Sequence, residues 1–164
     1  MLNLPSDALA GMVDRLALTT GSDPVPEGKR QRGYRTETDK FGLSGFTAMP
    51  SETVRPPRVR ECPVQLEVRI EAIHGLARDD PAQRGAISVL EARVQRVHVE
   101  EAILMDGYAD RVDPGKWRPL ILSFQEYHGL GPKAHPSLLG TIPEALYRGP
   151  DIARARAAAA QERS

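Results

Sequence analysis

In the segment Val64-Gln-Leu-Glu-Val-Arg-Ile-Glu-Ala-Ile73, apolar and polar residues alternate without a break as far as Ala72. Its apolar positions are Val64, Leu66, Val68, Ile70 and Ala72, and its polar positions are Gln65, Glu67, Arg69 and Glu71. Successive side chains of a β-strand point to opposite faces of the sheet. The pattern therefore predicts a strand whose apolar face is buried and whose polar face meets solvent.

A second strand is predicted downstream, from Ala86 to Val99. The turn-forming segment Arg78-Asp-Asp-Pro-Ala-Gln-Arg-Gly85 separates the two strands, so we expect a long antiparallel hairpin. The apolar residues of the second strand change phase twice: Ile87 and Val89 are odd, Leu90, Ala92 and Val94 are even, and Val97 and Val99 are odd. A strand that changes faces needs a bulge or a sharp bend, and both are typical of small barrels. We therefore predict a mainly β, barrel-like domain.

The regions around the hairpin carry weaker signals. Ser6 is predicted to cap a helix with apolar residues at Leu9, Met12, Val13 and Leu16. The segment Thr19 to Asp39 has no periodicity and reads as a long exposed loop with a basic cluster at Lys29, Arg30, Arg32 and Arg35. A short strand is predicted at Ala102 to Leu104, and a solvated terminal helix from Asp151 to Glu162.

Composition narrows the class of protein. The 164 residues suit roughly one domain, and 22 basic against 22 acidic residues leave no net charge. This balance argues against a nucleic-acid or membrane partner, although binding of nucleic acid by the basic loop stays a weaker alternative. The single cysteine, Cys62, and the absence of a secretory leader or a long apolar run indicate a protein of the reducing cytoplasm.

Few residues carry a chemical signature by themselves. The four histidines, His74, His98, His128 and His135, lack the spacing of a metal site, so no metal is predicted. Cys62 precedes Pro63 at the start of the first strand, which favours a packed, inert thiol over a nucleophile. His98 shares strand parity with Leu90, Ala92 and Val94; it either points toward the core or lies half exposed near the strand end.

Several stretches together resemble the flavin reductase family of FMN-binding split barrels. The middle block is the most specific, and the resembling stretches are Leu2 to Ser6, Asp39 to Ser51, Val54 to Val59, Glu61 to Glu67, Val97 to Val99, Ala102 to Gly107, Val112 to Pro114 and Trp117 to Leu120. The resemblance implies a mainly β split barrel with flanking helices over residues 1–148, followed by an Ala-rich helical or disordered tail over residues 149–164.

The same resemblance implies a function. Members of the family reduce flavin with NAD(P)H, hand the reduced flavin to a partner oxygenase or another acceptor, and bind FMN near the interface of a homodimer. Hydride transfer between stacked nicotinamide and flavin rings needs orientation more than acid or base, so no catalytic residue is assigned. Four positions are matched to cofactor binding: Asn3 for a ribityl or phosphate oxygen, Lys40 for phosphate, Phe41 beside the ring, and His98 for the nicotinamide or its phosphate.

One departure from the family leaves an alternative open. Members begin with further strands and a loop whose Ser, Thr and Asn groups hold FMN, and this chain lacks that part. We therefore expect an N-terminally truncated barrel whose open edge favours association. The alternative is a non-catalytic flavin-binding or interaction domain that has lost the phosphate-binding half.

Overall fold

The computed structural model of the chain describes residues 1–147 and 149–161. The contacts divide the chain into two compact units, Met1–Leu130 and Gly131–Ser164. Nine strands lie in the first unit: β1 (Leu2–Leu4), β2 (Thr19–Thr20), β3 (Arg35–Thr36), β4 (Ala48–Met49), β5 (Arg58–Val59), β6 (Val64–Gly75), β7 (Ser88–Val99), β8 (Ile121–Ser123) and β9 (Glu126–His128). Its helices are α1 (Ala10–Asp14), α2 (Glu27–Arg30) and α3 (Lys40–Ser44), with 3₁₀ turns at Asp7–Leu9 and Glu101–Ile103.

The second unit is helical in its described part. It contains 3₁₀ turns at Leu138–Thr141 and Glu144–Tyr147 and the helix α4 (Pro150–Gln161). The predicted terminal helix is therefore confirmed, although its last predicted residue, Glu162, lies outside the described residues. The domain assignment to residues 1–148 stays a prediction.

The central sheet has the order β1-β6-β7 and is antiparallel throughout. The long hairpin of β6 and β7 confirms the two predicted strands. Two register shifts interrupt the ladder: Gln95 is an extra residue in β7, and Glu71 is an extra residue in β6. The shift at Gln95 lies where the apolar residues of β7 change phase between Val94 and Val97, as the sequence predicts.

The two ends of this hairpin differ in their surroundings. We call residues 64–67 and 96–99 the hairpin base, and residues 68–75 and 88–95 the hairpin arm. In the base, Gln65 keeps 6% of its surface exposed and Glu67 none. In the arm, Ile70 is 45% exposed and Val94 is 47% exposed.

This distribution corrects the prediction that the apolar face of β6 is buried and the polar face is wet. The loop between β4 and β5 lies on the polar face and hydrogen-bonds to it, because Glu52 and Thr53 donate to Glu67 and Arg58 donates to Gln65. On the apolar face, Leu2 and Val97 are about half exposed. The loop contacts outweigh the alternation pattern, because a buried polar residue is stable when hydrogen bonds replace its contacts with water.

Three local predictions are also wrong. The predicted loop from Thr19 to Asp39 contains β2, α2 and β3, with β2 and β3 paired in parallel, and both threonines of β2 are buried. Residues Glu101–Ile103 form a 3₁₀ turn rather than part of a strand, and only Leu104 makes a bridge, to Val112.

The third wrong prediction concerns the cap and the end of the first helix; the helix itself is confirmed, as a 3₁₀ turn at Asp7–Leu9 followed by α1. The Ser6 side chain makes no capping hydrogen bond, and α1 ends at Asp14. The reason is tertiary: Ser6 pairs with Pro119 in an isolated bridge, and the Asp7 N–H donates to the carbonyl of Arg118.

Among the described residues, the strands form the three-stranded sheet and three two-stranded ladders, β2-β3, β4-β5 and β8-β9, without closing into a barrel. The fold is thus mainly β with some helices. The finer assignment to a split barrel stays a prediction. Within the described ranges we also find no helix with the length and apolar character needed to cross a membrane.

Candidate functional site

A cleft of about 550 Å³ opens beside the hairpin base. Its walls come from β4 and β5, from the segment that leads into β6, and from the end of β7. The lining residues are Met49, Arg58, Arg60, Glu61, Cys62, Pro63, Gln65, Val97, His98, Val99 and Glu100. This volume is within the range of small-molecule sites, and the lining combines apolar residues with charged ones.

A row of polar residues crosses the sheet at this point. Gln65 pairs in register with Asn3 of β1 on one side and with His98 of β7 on the other. Residues paired across neighbouring strands lie on the same face of a sheet, so the register alone places these three side chains on one face. Asn3 does not line the cleft: its Oδ1 accepts the N–H of Val59 at 3.0 Å.

The most buried polar group lies one step further along β6. The Glu67 carboxylate accepts the N–H of Glu52 at 2.8 Å, the N–H of Thr53 at 2.6 Å and the hydroxyl of Thr53 at 2.6 Å. The imidazole of His98 lies against the same carboxylate, with Nε2 at 2.8 Å from Oε1. The Glu67 carboxylate therefore binds both the loop that covers the sheet and the His98 ring.

These contacts decide the charge of Glu67. Burial by itself would raise the pKa of this carboxyl, but the hydrogen bonds from Thr53, Glu52 and His98 outweigh burial and hold the pKa far below its usual range. Glu67 is therefore an anion at neutral pH, facing the His98 ring. A second carboxylate, Glu52, lies 3.8 Å from Nδ1 of His98 and pairs with Arg96 at 2.9 Å.

Arg58 is held in the wall of the cleft by neutral partners. Its Nε donates to the carbonyl of Pro50 at 3.0 Å, and its Nη1 donates to Oε1 of Gln65 at 2.9 Å. The amide of Gln65 is oriented in turn, because its Nε2 donates to the carbonyl of Cys62 at 2.8 Å. The guanidinium is thus positioned without a carboxylate.

Two further lining residues, Cys62 and Glu61, are held within the protein, the first by burial and the second by hydrogen bonds. Cys62 is buried, and this burial raises the pKa of its thiol to about 11, which confirms the prediction of a packed and inert thiol. The Glu61 carboxylate accepts the N–H of Thr47 at 3.0 and 3.1 Å. Although burial raises the pKa of Glu61, these hydrogen bonds leave it below its ordinary value.

The four predicted cofactor-binding residues lie in three places. His98 lines the cleft and keeps 16% of its side chain exposed, while Asn3 lies on the same face one strand beyond Gln65. Lys40 and Phe41 begin α3 and are not among the lining residues of this cleft. Lys40 is exposed, with Nζ at 3.4 Å from the hydroxyl of the buried Thr19.

Sequence reasoning missed Glu67, Gln65 and Arg58. The two β6 residues occupy the positions that alternation assigns to solvent, and Arg58 follows two prolines in a stretch without periodicity. No local signal marks a polar strand face that a distant loop will cover. Within the described chain, moreover, no group of three or more His, Cys, Asp or Glu residues could hold a metal ion.

Comparisons with known proteins give one curated relative and several solved structures. The chain is 33% identical over 131 residues to "Uncharacterized protein YdfE" of Bacillus subtilis, covering 80% of this chain and 60% of that protein. The chain thus spans about 60% of the length of the curated relative that it matches. No family model matches the sequence.

The solved structures agree on the fold. Component B of nitrilotriacetate monooxygenase from Bacillus cereus is 20% identical with a TM-score of 0.59, over 82% of this chain and 57% of that one. Flavoredoxin of Desulfovibrio vulgaris is 22% identical with a TM-score of 0.58, over 83% and 61%. The 2-nitrobenzoate 2-nitroreductase NbaA of Pseudomonas fluorescens is 21% identical with a TM-score of 0.51, over 73% and 58%. At these identities the likeness establishes a shared fold.

Proposed function

We propose that this chain belongs to an FMN-dependent flavin reductase-like oxidoreductase that transfers hydride from NAD(P)H to flavin. The observation that carries the proposal is the cleft beside the hairpin base, in a fold shared with a monooxygenase component, a flavoredoxin and a nitroreductase. The chain spans about 60% of the length of those proteins, so the activity of a whole protein of this fold is a proposal for this chain.

The residues of the cleft fit a flavin mononucleotide. Met49 offers apolar surface to a planar ring, while Arg58 and Arg60 offer donors to oxygen atoms. When bound, the flavin supplies the ring that accepts hydride, and the protein contributes binding, orientation and exclusion of water.

The four residues predicted from the resemblance keep their proposed roles, although His98 is the one of the four that lines the cleft. The Oδ1 of Asn3 accepts the N–H of Val59, which leaves the two Nδ2 hydrogens to donate to a ribityl or phosphate oxygen. Lys40 would attract the phosphate, and the half-buried Phe41 would border the ring. His98 would meet the nicotinamide or its phosphate, with its ring held in place by Glu67.

We propose a homodimer that uses the apolar face of the sheet. This face exposes Leu2 and Leu4 of β1, Ile70 of β6, and Val94 and Val97 of β7, each by 39% or more. Such a contiguous apolar face is costly to leave in water. A second copy presents the same face, and association of like faces about a twofold axis closes both at once.

The proposal also includes a partner oxygenase, a cytoplasmic location and a completed split barrel. A partner oxygenase would accept the reduced flavin, by analogy with the monooxygenase component that shares the fold. A cytoplasmic location suits the unpaired Cys62. A split barrel would be completed by strands other than the nine described here.

Flavin titration tests the proposal directly. We expect FMN added to the purified chain to lose fluorescence and change its visible spectrum, and NADH or NADPH oxidation to follow. Asn3→Ala and Lys40→Ala should weaken FMN binding about tenfold, whereas Lys133→Ala, in the second unit, should not. His98→Ala should slow NAD(P)H oxidation more than it weakens FMN binding.

The alternative function gives a different result. A folded chain, judged by circular dichroism, that binds FMN without oxidising NAD(P)H would be a non-catalytic flavin-binding domain. A folded chain that binds no FMN contradicts the proposal and leaves an interaction domain.

A further inference from the structure

We propose that Arg58 forms the centre of an oxyanion-binding subsite, which receives the phosphate or carboxylate end of a ligand in the cleft. The inference extends the proposed function, since it names the charged group that the cleft recognises. It rests on the placement of one guanidinium and does not require that a flavin be bound.

Among the described residues, no nearby carboxylate neutralises the positive charge of Arg58. Arg58 is half-buried, and the two partners to which its guanidinium donates hydrogen bonds, the Pro50 carbonyl and the Gln65 amide oxygen, are neutral. Within the described chain no carboxylate lies within 4.0 Å of it. A half-buried cation without a counter-ion attracts an anion, and a guanidinium binds carboxylate and phosphate oxygens in the plane of its donors.

The hydrogen-bond donors of Arg58 are held in position before any ligand binds. Gln65 is 94% buried, and its amide bridges the Cys62 carbonyl and Nη1 of Arg58. Because Nε and Nη1 are occupied, the Nη2 donors remain for a ligand. A side chain that is already ordered loses less conformational entropy on binding than a free surface arginine.

The third argument comes from the charges around Arg58. Arg60 also lines the cleft and adds a second cation to it, and its charge acts on the neighbouring Glu61. The lining also holds two carboxylates that oppose an anion, Glu100 and Glu61, of which Glu61 accepts the N–H of Thr47. The imidazole of His98 lies against the buried Glu67 carboxylate.

Three probes separate the sources of such an oxyanion: inorganic phosphate, ADP for a nucleotide pyrophosphate, and benzoate for a carboxylate. Binding to the complete chain, without added flavin, is measured by titration calorimetry. We expect at least one probe to bind at millimolar or lower concentration, Arg58→Gln to weaken it about tenfold, and Glu100→Gln to strengthen it. The matched control is Arg55→Gln, an exposed arginine of the same loop outside the cleft, which should bind as the unmodified chain does.

The outcomes are distinct. Binding of ADP alone assigns the subsite to nucleotides, and binding of benzoate alone assigns it to carboxylates; loss in Arg58→Gln supports the proposal in either case. Equal losses in Arg58→Gln and Arg55→Gln, or no binding of any probe to a folded chain, overturn it. If Arg58→Gln unfolds, Arg58→Lys keeps the charge and loses the planar donors, so an unchanged affinity in that variant also overturns it.

Separate FMN titrations distinguish this failure from failure of the proposed function. Binding of FMN without any anion probe would remove the Arg58 subsite and leave the flavin proposal standing. Binding of an anion probe that depends on Arg58, without binding of FMN, would support the Arg58 subsite and remove the flavin proposal.

Discussion

The hairpin base and the hairpin arm are parts of the same two strands, yet the base buries polar residues and the arm buries neither polar nor apolar ones. At the base, the polar Gln65 and Glu67 are inside, because the loop from residue 50 to residue 58 covers them and supplies hydrogen bonds. Along the arm, the apolar Ile70, Ile73 and Leu90 are exposed by 45%, 64% and 57%. The segment that covers a strand therefore decides which of its residues are buried. The exposed apolar residues of the arm belong to the face that we propose for the homodimer.

Replacement of Glu67 should give the largest effect at the base. In Glu67→Gln the amide group cannot accept all the donors that face the carboxylate, so buried N–H groups lose their partner. We expect a loss of about 3 kcal/mol in the free energy of unfolding, measured by urea denaturation. The control is Glu71→Gln in the arm, and equal losses in the two variants would contradict the difference drawn between base and arm.

A charge on the apolar face of the arm should affect association rather than folding. Val94→Asp places a carboxylate in the proposed dimer interface, and we expect association to weaken about a hundredfold, measured by light scattering over a range of protein concentrations. The chain should remain folded, because Val94 is already 47% exposed. A monomeric unmodified chain would count against the dimer.

Acid should destabilise the base before the arm. The pKa of Glu67 is lower in the folded chain than its ordinary value near 4.3, because hydrogen bonds from Thr53, Glu52 and His98 outweigh its burial. The unfolded chain therefore binds more protons, and the stability that Glu67 contributes is complete above about pH 5 and is lost as the pH falls further.

Urea denaturation at pH values from about 6 to 3 checks this dependence. Glu67→Gln should flatten the curve, whereas the lowered pKa values of Glu61 and Asp7 leave part of the slope. A variant that keeps the full slope would show that Glu67 is not responsible.

The smallest change in the free energy of unfolding is expected from a substitution on the polar face of the arm. Arg93 pairs with Glu71 at 3.1 Å, but the arginine side chain is 68% exposed. Exposed ion pairs contribute little, so Arg93→Gln should change the free energy of unfolding by about 0.5 kcal/mol or less. A loss above about 1 kcal/mol, measured by urea denaturation, would mean that this face of the arm is also covered.

The sequence by itself determined the long hairpin, the change of phase in its second strand and the inert thiol. Each of these depends on local information: a period of two residues, turn-forming residues between the strands, and a cysteine at the start of an apolar segment. The resemblance to the flavin reductase family also singles out His98, which lines the cleft. Its strand parity with Val94 is misleading, because the extra residue Gln95 places His98 on the opposite face of the sheet.

Only the tertiary structure decided which face of the hairpin is covered, and with it the rest of the site. Glu67 receives donors from residues 14 and 15 positions away, and Asn3 accepts from a residue 56 positions away. Arg58 is a site residue because Gln65 and Pro50 hold it in the cleft wall. Alternation predicts that a strand has two faces, but the partner of each face is set by contacts distant in sequence.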